Sequence, residues 1–569
     1  MRRKLTNGIT VIGYCLLVIG FTSCNDFLDI LPMNDVVLEN YWTEKADVTS
    51  VRNSCYESLA STDAMTRIGI WGELRSDNMF AGANIPNDVS EVLKENILSS
   101  NPYCDWSKLY ECINRCNILC HYAPQVQAAD PNYSEAEMNA DIAEVSALRD
   151  LCYFFLIRTF RDVPYSREPS IDDTQNYILP ATKFDDVLDS LIIDLESIQD
   201  HAVRRFELER VNGSNYSFPN VNSSRITRVA VWAMLADMYL WKGDWNSAIK
   251  YADMVLDFKR QQYDELKDRV GDIKEIGLID EVPLLLECPD GSGDTAGNAY
   301  EAIFGDGNSF ENIFELYFSS RQNQENSWVR DYYGSDNTPN GRLRGNALTF
   351  GTSLLDVIQN KVPLYKSTDG RFFECFRVEG TTLNIGKYVN STVSYQTKSV
   401  TSESSLDLHQ NIRGENTAPW IFYRLTDMLL IKAEALVSRN QEGDLDAAFD
   451  MVNIVSKRAN NLTQALKKTD YINSKNAMEN LVFDERRREF MFEGKRWYDL
   501  VRRSRRDGNT TYLVAAVKSK YEQNANAIAI KMADPNIIYF PYAKSEMKVN
   551  PLLVQNPAFT NGEDSEYSR

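Results

Sequence analysis

One segment in the middle of the chain reads Leu235-Ala236-Asp237-Met238-Tyr239-Leu240, then Gly243-Asp244-Trp245, then Ala248-Ile249 and Tyr251-Ala252. Apolar residues on both sides of the Gly-Asp pair recur at the spacing of one face of an α-helix. Glycine can end a helix in a left-handed cap, and aspartate is a favoured cap at the start of the next helix. The alanines allow two helices to approach closely. The segment therefore predicts two helices joined by a tight turn.

A second copy of this pattern occurs later in the chain. It reads Leu430-Ile431, Ala433-Glu434-Ala435-Leu436, then Gly443-Asp444-Leu445 and Ala447-Ala448. Helix, Gly-Asp turn and helix is typical of tetratricopeptide-like hairpins, which stack on their neighbours. The spacing between the copies is irregular, so a uniform array is excluded. We expect a mainly α fold in which tetratricopeptide-like helical hairpins form an α-α superhelical scaffold.

The rest of the chain divides into helical parts and a loop-rich part. Apolar residues at helical spacing predict helices at 108–120, 141–160, 185–195, 227–241, 245–258, 423–437, 445–459 and 478–503. Residues 260–420 are rich in Gly, Asn, Asp and Ser, and short apolar pieces such as Ile313 to Phe318 resemble strands. We therefore expect an N-terminal helical part at 24–259, a loop-rich insert with short strands at 260–420, and a C-terminal helical part with a tail at 421–569.

The N-terminus has the pattern of a bacterial lipoprotein signal. Met1-Arg2-Arg3-Lys4 is basic, Ile9 to Phe21 is a short apolar run, and Thr22-Ser23 precede Cys24. We expect residues 1–23 to be a signal peptide and Cys24 to become an N-terminus modified with acyl chains such as palmitate. The alternative is a plain secretory signal in which Cys24 is incidental.

Composition excludes some classes of partner. The chain is globular by its 43% hydrophobic and 25% charged residues, and its net charge is −20. A body that acidic repels phosphate backbones, so we expect no nucleic-acid partner. No second apolar run approaches the length of a membrane span, so lipid is the expected anchor.

Two groups of side chains could hold a metal. Cys112, Cys116 and Cys120 share a helix face beside His121 but lack C-x-x-C spacing, so we predict buried packing. Oxygen ligands for calcium could come from Asp290, Asp294, Asp306 and Asn308. They do not form a twelve-residue loop with a closing glutamate, and turn chemistry explains them better. We therefore expect no cofactor.

Several segments together resemble the SusD/RagB family over nearly the whole mature chain. They are Phe27-Leu28-Asp29 with Pro32, Tyr41-Trp42, Glu73 to Asn78, Trp106-x-x-x-Tyr110-x-x-Ile113-Asn114-x-x-Asn117, Glu144 to Pro164, Ala433-Glu434-Ala435, Glu485 to Glu489, Glu493 to Arg502, and Gln555-Asn556-Pro557. Arg161 and Ala558 stand where the family commonly has glycine, which affects local turns only. The most specific block is Glu485 to Arg502.

The resemblance implies a function. Such proteins are outer-membrane lipoproteins that bind a glycan or other nutrient above a SusC-like TonB-dependent transporter. It implies an oligosaccharide ligand, attachment to the outer membrane through the lipid on Cys24, exposure at the cell surface, and no catalysis.

Ligand residues are predicted from the chemistry of sugars. Aromatic faces pack on the apolar side of a sugar ring, while amides, carboxylates and arginine bond its hydroxyls. One place holds Trp71, Arg75, Asp77 and Asn78, followed by Phe80 and Asn84; another holds Trp328, Arg330, Tyr332 and Tyr333, followed by Asp336 and Asn337. The alternatives are core packing of Trp71, a structural hydrogen-bond knot at 75–78, and self-packing of the 328–333 loop.

Three functions remain open from the residues. The first is the binding lipoprotein, with peptide or another non-glycan nutrient as an alternative ligand. The second is a glycoside hydrolase, which needs two carboxylates roughly 5–10 Å apart, and no sequence context marks such a pair. The third is a helical-repeat adaptor. The charged block Glu485 to Arg503, expected on one helix, could be catalytic, but paired charges at i,i+3 and i,i+4 favour a structural ion-pair network. We predict a binding protein, not an enzyme.

Overall fold

The computed structural model describes residues 41–171, 178–205, 209–211, 215–217, 221–289, 295–322, 324–351, 353–359, 361–396, 407–521 and 524–560. The predicted signal peptide, Cys24, Asp290 and Asp294 lie outside these residues. The α-helices are α1 (Lys45–Leu59), α2 (Thr62–Gly69), α3 (Asn87–Leu93), α4 (Ser107–Ala129), α5 (Glu135–Phe160), α6 (Phe184–Ile198), α7 (Val221–Ser224), α8 (Arg228–Lys242), α9 (Trp245–Val270), α10 (Asn298–Tyr300), α11 (Ala347–Phe350), α12 (Leu354–Ile358), α13 (Arg371–Cys375), α14 (Leu425–Arg439), α15 (Asp444–Ala459), α16 (Lys475–Glu489), α17 (Arg496–Asp507), α18 (Thr511–Lys518), α19 (Ala525–Met532) and α20 (Lys544–Val549).

Strands are short and form small sheets. They are β1 (Met79–Ala81), β2 (Val163–Pro164), β3 (Ala181–Thr182), β4 (Glu209–Val211), β5 (Asn215–Ser217), β6 (Ile276–Ile279), β7 (Val282–Leu285), β8 (Thr295–Ala296), β9 (Asn312–Leu316), β10 (Leu343–Gly345), β11 (Phe376–Glu379), β12 (Thr382–Ile385), β13 (Asn390–Gln396), β14 (Leu408–Ile412) and β15 (Trp420–Arg424). The largest described sheet has the order β1-β10-β12-β11. Its edge strand β1 comes from the N-terminal part, so the sheet joins that part to the insert.

The first Gly-Asp turn ends and begins helices as the sequence predicts, whereas the second is capped differently. α8 ends at Gly243, whose φ of +82° is left-handed, and Asp244 accepts a hydrogen bond from the Ser247 amide at 3.1 Å. In the later copy, Asn440 (φ +54°) ends α14 and Gly443 (φ +83°) precedes the first residue of α15, so the expectation that this glycine ends the first helix was wrong. Each turn therefore folds its two helices into a hairpin.

The two hairpins pack against each other. α9 of the first lies along α14 of the second, and Lys432 on α14 forms an ion pair with Asp253 on α9 at 2.6 Å. α4 and α5 form a further antiparallel pair, and α1 packs against α4. The predicted mainly α scaffold of helical hairpins, with a strand-bearing insert, is confirmed.

Helix α9 extends past its predicted end. The helix was expected to stop at Phe258, but it continues to Val270, inside the predicted insert. Gln262, Tyr263 and Leu266 are buried on the same face, so the amphipathic pattern continues for three more turns.

The charged block Glu485 to Arg503 does not lie on one helix, and this prediction was wrong. α16 ends at Glu489 and α17 begins at Arg496, with Phe492 and Gly494 at positive φ in between. Gly494 also lies against Gly72, where an added Cβ would be 2.0 Å from the Gly494 carbonyl oxygen. The turn brings the C-terminal block against the segment that follows α2.

The same block forms a buried ion-pair network. Glu489 accepts hydrogen bonds from Arg424 at 2.5 Å, from Arg371 at 2.9 Å, and from Arg458. Burial alone would raise the pKa of Glu489, but these three guanidinium groups hold it well below its usual range. Glu493 completes the network through Arg424. The structural interpretation of the block agrees with this geometry.

The described part of the chain contains free cysteines and no membrane-spanning helix. The eight described cysteines are free thiols, and Cys112 and Cys116 are fully buried, as predicted, while Cys120 is partly exposed. Among the described helices, none is both long and apolar enough to cross a bilayer.

Candidate functional site: the two-loop surface

Trp71, predicted to contact a ligand, is buried in the core. It lies on a π-helical turn, Ile70–Leu74, and its side chain is 0% exposed. The indole Nε1 donates to the Tyr103 carbonyl oxygen at 2.8 Å, and the ring packs edge-on against Phe160 at 5.3 Å. Neither ring face is open to a sugar in this structure. Core packing, the alternative considered above, accounts for Trp71.

Arg75 links the N-terminal part to the tail. It is fully buried, forms an ion pair with Glu95 at 2.7 Å, and donates to the carbonyl oxygens of Ile537 and Ile538 at 2.7 and 2.9 Å. Its guanidinium lies 4.3 Å from the ring centroid of Trp497. Each of its guanidinium nitrogens therefore bonds a group inside the protein.

Asp77 and Asn78 link the same segment to α16 and α17. Asp77 pairs with Arg487 at 3.0 Å and with Arg496 at 2.9 Å. Burial opposes ionisation, but these two guanidinium groups hold the pKa of Asp77 well below its usual range. Asn78 donates to Glu73 at 2.7 Å and accepts from Arg487 at 2.9 Å. The segment 75–78 is thus part of a buried network of hydrogen bonds and ion pairs. The prediction that it contacts ligand does not agree with its burial.

Trp328 and Tyr333 are also buried. Both are 0% exposed, and Trp328 lies directly against Gly69, where an added Cβ would be 2.2 Å from the indole. The Tyr333 hydroxyl donates to the Phe492 carbonyl oxygen at 2.9 Å. The loop packs on its own aromatics, because Trp328 stacks on Tyr332 at 4.6 Å. These two rings are therefore core residues.

The two predicted segments nevertheless lie side by side. β1 pairs antiparallel with β10, and the Gly82 amide donates to the Arg342 carbonyl oxygen at 2.7 Å. The hydroxyl groups of Tyr103 and Tyr332 are 3.3 Å apart. The two loops, more than two hundred positions apart in sequence, thus form one surface together with the turn Pro102–Cys104, and we call it the two-loop surface. Its members are Phe80, Tyr103, Arg330, Tyr332 and Arg342.

Arg342 carries the free hydrogen-bonding capacity of this surface. Its guanidinium lies 5.7 Å from the ring centroid of Tyr332. It is partly exposed, and its side chain makes no hydrogen bond or ion pair with any residue that the structure describes. Arg330, in contrast, is bound to Asp331 at 2.7 Å and to Glu325. Arg342 is therefore better placed than Arg330 to bond an incoming hydroxyl.

Tyr103 supplies exposed ring area on this surface, from the short 3₁₀ turn Pro102–Cys104. Tyr332 is only 5% exposed, stacked on Trp328 and covered by Arg342, so the prediction that its ring contacts ligand does not agree with its burial. Desolvation raises the pKa of Tyr332, so its hydroxyl stays neutral and can donate or accept. Phe80 is partly exposed at the sheet edge. Aromatic rings beside an unpaired guanidinium are suited to binding a polyhydroxylated ring.

Sequence reasoning missed Tyr103 and Arg342. Tyr103 follows an Asn-Pro pair, and Arg342 follows the turn-rich run that ends at Gly341. An added Cβ on Gly341 would be 2.3 Å from the Tyr333 carbonyl oxygen, so only glycine fits this approach. Gly341 is therefore the sequence feature that could have drawn attention to its neighbour Arg342.

The described residues hold no group of three or more His, Cys, Asp or Glu side chains placed to bind a metal. Asn308, one of the suggested calcium ligands, is used internally, since its side-chain oxygen accepts a hydrogen bond from the Ser223 hydroxyl at 2.6 Å. Asp306 is exposed. The turn interpretation fits the described part of this group.

Comparison with known proteins gives one family. The SusD family profile matches residues 241–559. The chain is 25% identical over 527 residues to SusD-like protein P38 of Formosa agariphila, covering 88% of this chain and 92% of that protein. It is 23% identical to SusD-like protein P25 of the same organism, over 97% of this chain and 99% of that protein.

Solved structures share the fold. A SusD superfamily protein from Bacteroides vulgatus matches with a TM-score of 0.63 at 18% identity, covering 91% of this chain and 100% of that one. A putative sugar binding protein from the same organism matches with a TM-score of 0.61 at 19% identity, covering 91% and 99%. Because the family profile covers more than half of the chain, this protein belongs to the SusD family.

Proposed function

We propose that this protein is a lipid-anchored binding protein of the outer membrane that captures an oligosaccharide at the cell surface. It delivers the sugar to a SusC-like TonB-dependent transporter. SusD-like proteins are in general glycan-binding nutrient lipoproteins, which supports the ligand class and the compartment. The Thr22-Ser23-Cys24 pattern supports the lipid anchor.

The observation that carries the ligand proposal is the guanidinium of Arg342, which lies above the ring of Tyr332 and is bonded by no residue that the structure describes. Beside it, Tyr103 offers a partly exposed ring and a hydroxyl. A sugar lying on this surface would exchange water at the rings for apolar contact, while Arg342 bonds one or two hydroxyls. The proposal uses no nucleophile or metal from the side chains of the two-loop surface. We expect binding without catalysis.

The test is calorimetric titration of residues 25–569 with a panel of plant, host and storage oligosaccharides, with product analysis of the same mixtures. Saturable heat with intact sugar would support capture without catalysis. Breakdown of the sugar would replace the proposal with a hydrolase. Heat with peptides in place of sugars would move the ligand class to a non-glycan nutrient.

Transfer to a transporter needs its own test. Co-purification of the membrane-bound protein with a TonB-dependent barrel would support this partner. The co-purification should be lost when the protein lacks its lipid anchor. Sugar binding without any barrel in detergent extracts would contradict that half of the proposal.

A further inference from the structure

A separate cleft lies between residues 363–369 of the insert and helices α15 and α16. Its volume is about 370 Å³. Small-molecule sites usually measure about 300–1,000 Å³, so the cleft is large enough for a small ligand. None of its lining residues belongs to the two-loop surface.

The walls of the cleft are fixed by hydrogen bonds between distant segments. Lys366 donates to the Ala465 carbonyl oxygen at 2.5 Å, and Arg488 donates to the Leu364 carbonyl oxygen at 3.1 Å. Gln464 donates to the side-chain oxygen of Asn453 on α15 at 2.6 Å. The cleft is therefore formed before any ligand arrives, and binding would not require a new loop arrangement.

Three polar groups that line the cleft have unused capacity. The exposed carboxylate of Asp484 makes no hydrogen bond or ion pair with a described residue, and the same is true of the Tyr471 hydroxyl. Asn480 accepts a hydrogen bond from Arg503 at 3.2 Å through its oxygen, and no described residue accepts from its amide nitrogen. An acceptor, a hydroxyl and an amide donor thus meet in one cleft.

The remaining charges of the cleft are already paired. Arg488 binds Glu485 at 2.6 Å, and Asp369 binds Arg371 at 2.6 Å. Lys366 and Asp484 are left with opposite charges, so the cleft has no excess of one sign. This balance favours a neutral ligand over an anion or a cation.

The apolar lining points to a ring with an apolar face. Leu364, Leu466 and Leu481 line the cleft with Tyr471. The Tyr471 ring is stacked on Phe449 with centroids 6.2 Å apart, which fixes its orientation. Sugars combine such a face with several hydroxyl groups. We infer that this cleft is a second binding site, for a neutral mono- or disaccharide, and that it acts independently of the two-loop surface.

The test is saturation-transfer NMR on residues 25–569. The probes are methyl glycosides of glucose, galactose, mannose, xylose and N-acetylglucosamine, together with maltose, cellobiose and lactose. The experiment is done in an Arg342→Ala background, which weakens binding at the two-loop surface, and the cleft variants then show how much of the remaining signal comes from the cleft. At least one probe should give a saturable signal, and Asp484→Ala or Tyr471→Ala should weaken its binding roughly tenfold, because each removes a hydrogen-bonding group or the ring.

Asp470→Ala is the matched control, since Asp470 is an exposed carboxylate beside Tyr471 that does not line the cleft. It should leave the signal unchanged. Melting temperatures of all variants confirm folding, and slower deuterium exchange of residues 463–489 with the bound probe locates it independently. Absence of any saturable signal, or a signal equal in Asp484→Ala, Tyr471→Ala and the control, would overturn the second site. Neither outcome bears on oligosaccharide binding measured with Arg342 intact.

Discussion

Asp77 and Arg496 form a two-pronged ion pair, with Oδ1 2.9 Å from Nε and Oδ2 3.1 Å from a terminal guanidinium nitrogen. The two residues are 419 positions apart. Arg487 adds a second guanidinium at 3.0 Å from the same carboxylate. One buried carboxylate therefore ties the segment after α2 to both α16 and α17, which explains why a family motif is found there without an exposed side chain.

Replacing Asp77 with Asn should destabilise the fold strongly. Two buried arginines would lose their counter-charge, and breaking a buried pair from one side costs about 3–5 kcal/mol. The free energy of unfolding, measured in urea, should fall by this amount. Asp336→Asn is the control, because Asp336 is exposed, and it should change stability by less than about 0.5 kcal/mol. Equal stability of the two variants would show that Asp77 does not hold these elements together.

Trp328→Ala should lower the stability of the fold, and we expect no direct effect on ligand contact. The ring is fully buried against Gly69 and Tyr332, so its removal leaves a cavity and should cost about 3–5 kcal/mol. Thermal unfolding by circular dichroism measures the loss. Tyr317→Ala provides the comparison, since that ring is 47% exposed. A Trp328 variant that melts like wild type yet binds sugar poorly would return Trp328 to the ligand site.

Local patterns predicted the hairpins well because their causes are local. The cap at Gly243 and the hydrogen bond to Asp244 involve neighbours only, so composition and spacing are enough to place them. The two-helix division of the charged block is different. Its break includes Gly494, whose φ is +71°, and packs against Gly72, a contact that no local pattern contains.

The site was harder to predict because burial is decided by distant partners. Trp71 and Tyr103 are both aromatic residues near turns, and sequence treats them alike. Trp71 is buried because its turn packs on Phe160 and Tyr103, whereas Tyr103 is left at the surface. The position of Arg342 follows from pairing between β1 and β10, which are far apart in the chain.

Ionisation of Glu315 should lower the stability of the fold as pH rises from about 4.5 to about 7. Burial raises the pKa of this carboxyl from 4.5 to about 7, and its described partners, Asn308, Ser223 and Asn312, are neutral. The folded state holds the proton more tightly than the unfolded chain does. The contribution of this group is therefore complete below pH 4.5 and is lost as pH passes 7, by about 3 kcal/mol at most.

Glu315→Gln tests this dependence. The amide cannot ionise, so the difference in melting temperature between pH 5 and pH 8 should be smaller than in wild type. Glu301→Gln is the control, because Glu301 is exposed and should keep the wild-type slope. A Glu315→Gln slope equal to that of the control would show that Glu315 is ionised throughout this range.

Arg342→Ala should weaken oligosaccharide binding by roughly tenfold, since one or two charge-assisted hydrogen bonds would be lost. Tyr103→Ala should have a similar effect through the lost ring contact. Both side chains are partly exposed, so stability should change little. Titration with the oligosaccharide that binds wild type gives the affinities, and Arg321→Ala and Tyr317→Ala are matched exposed controls. Unchanged affinity in both variants would remove the two-loop surface from the proposed function.

Cys24→Ala should release the protein from membranes. If Cys24 carries the acyl chains, the variant lacks its anchor, and no described helix could replace it by spanning the bilayer. Fractionation of cells followed by immunoblotting should find the protein in the soluble fraction, and radiolabelled palmitate should no longer be incorporated. Cys15→Ala is the control, because this cysteine lies within the predicted signal and should leave both results as in wild type. Retention of the Cys24 variant on membranes without label would mean that another part of the chain, or a membrane partner, holds it there.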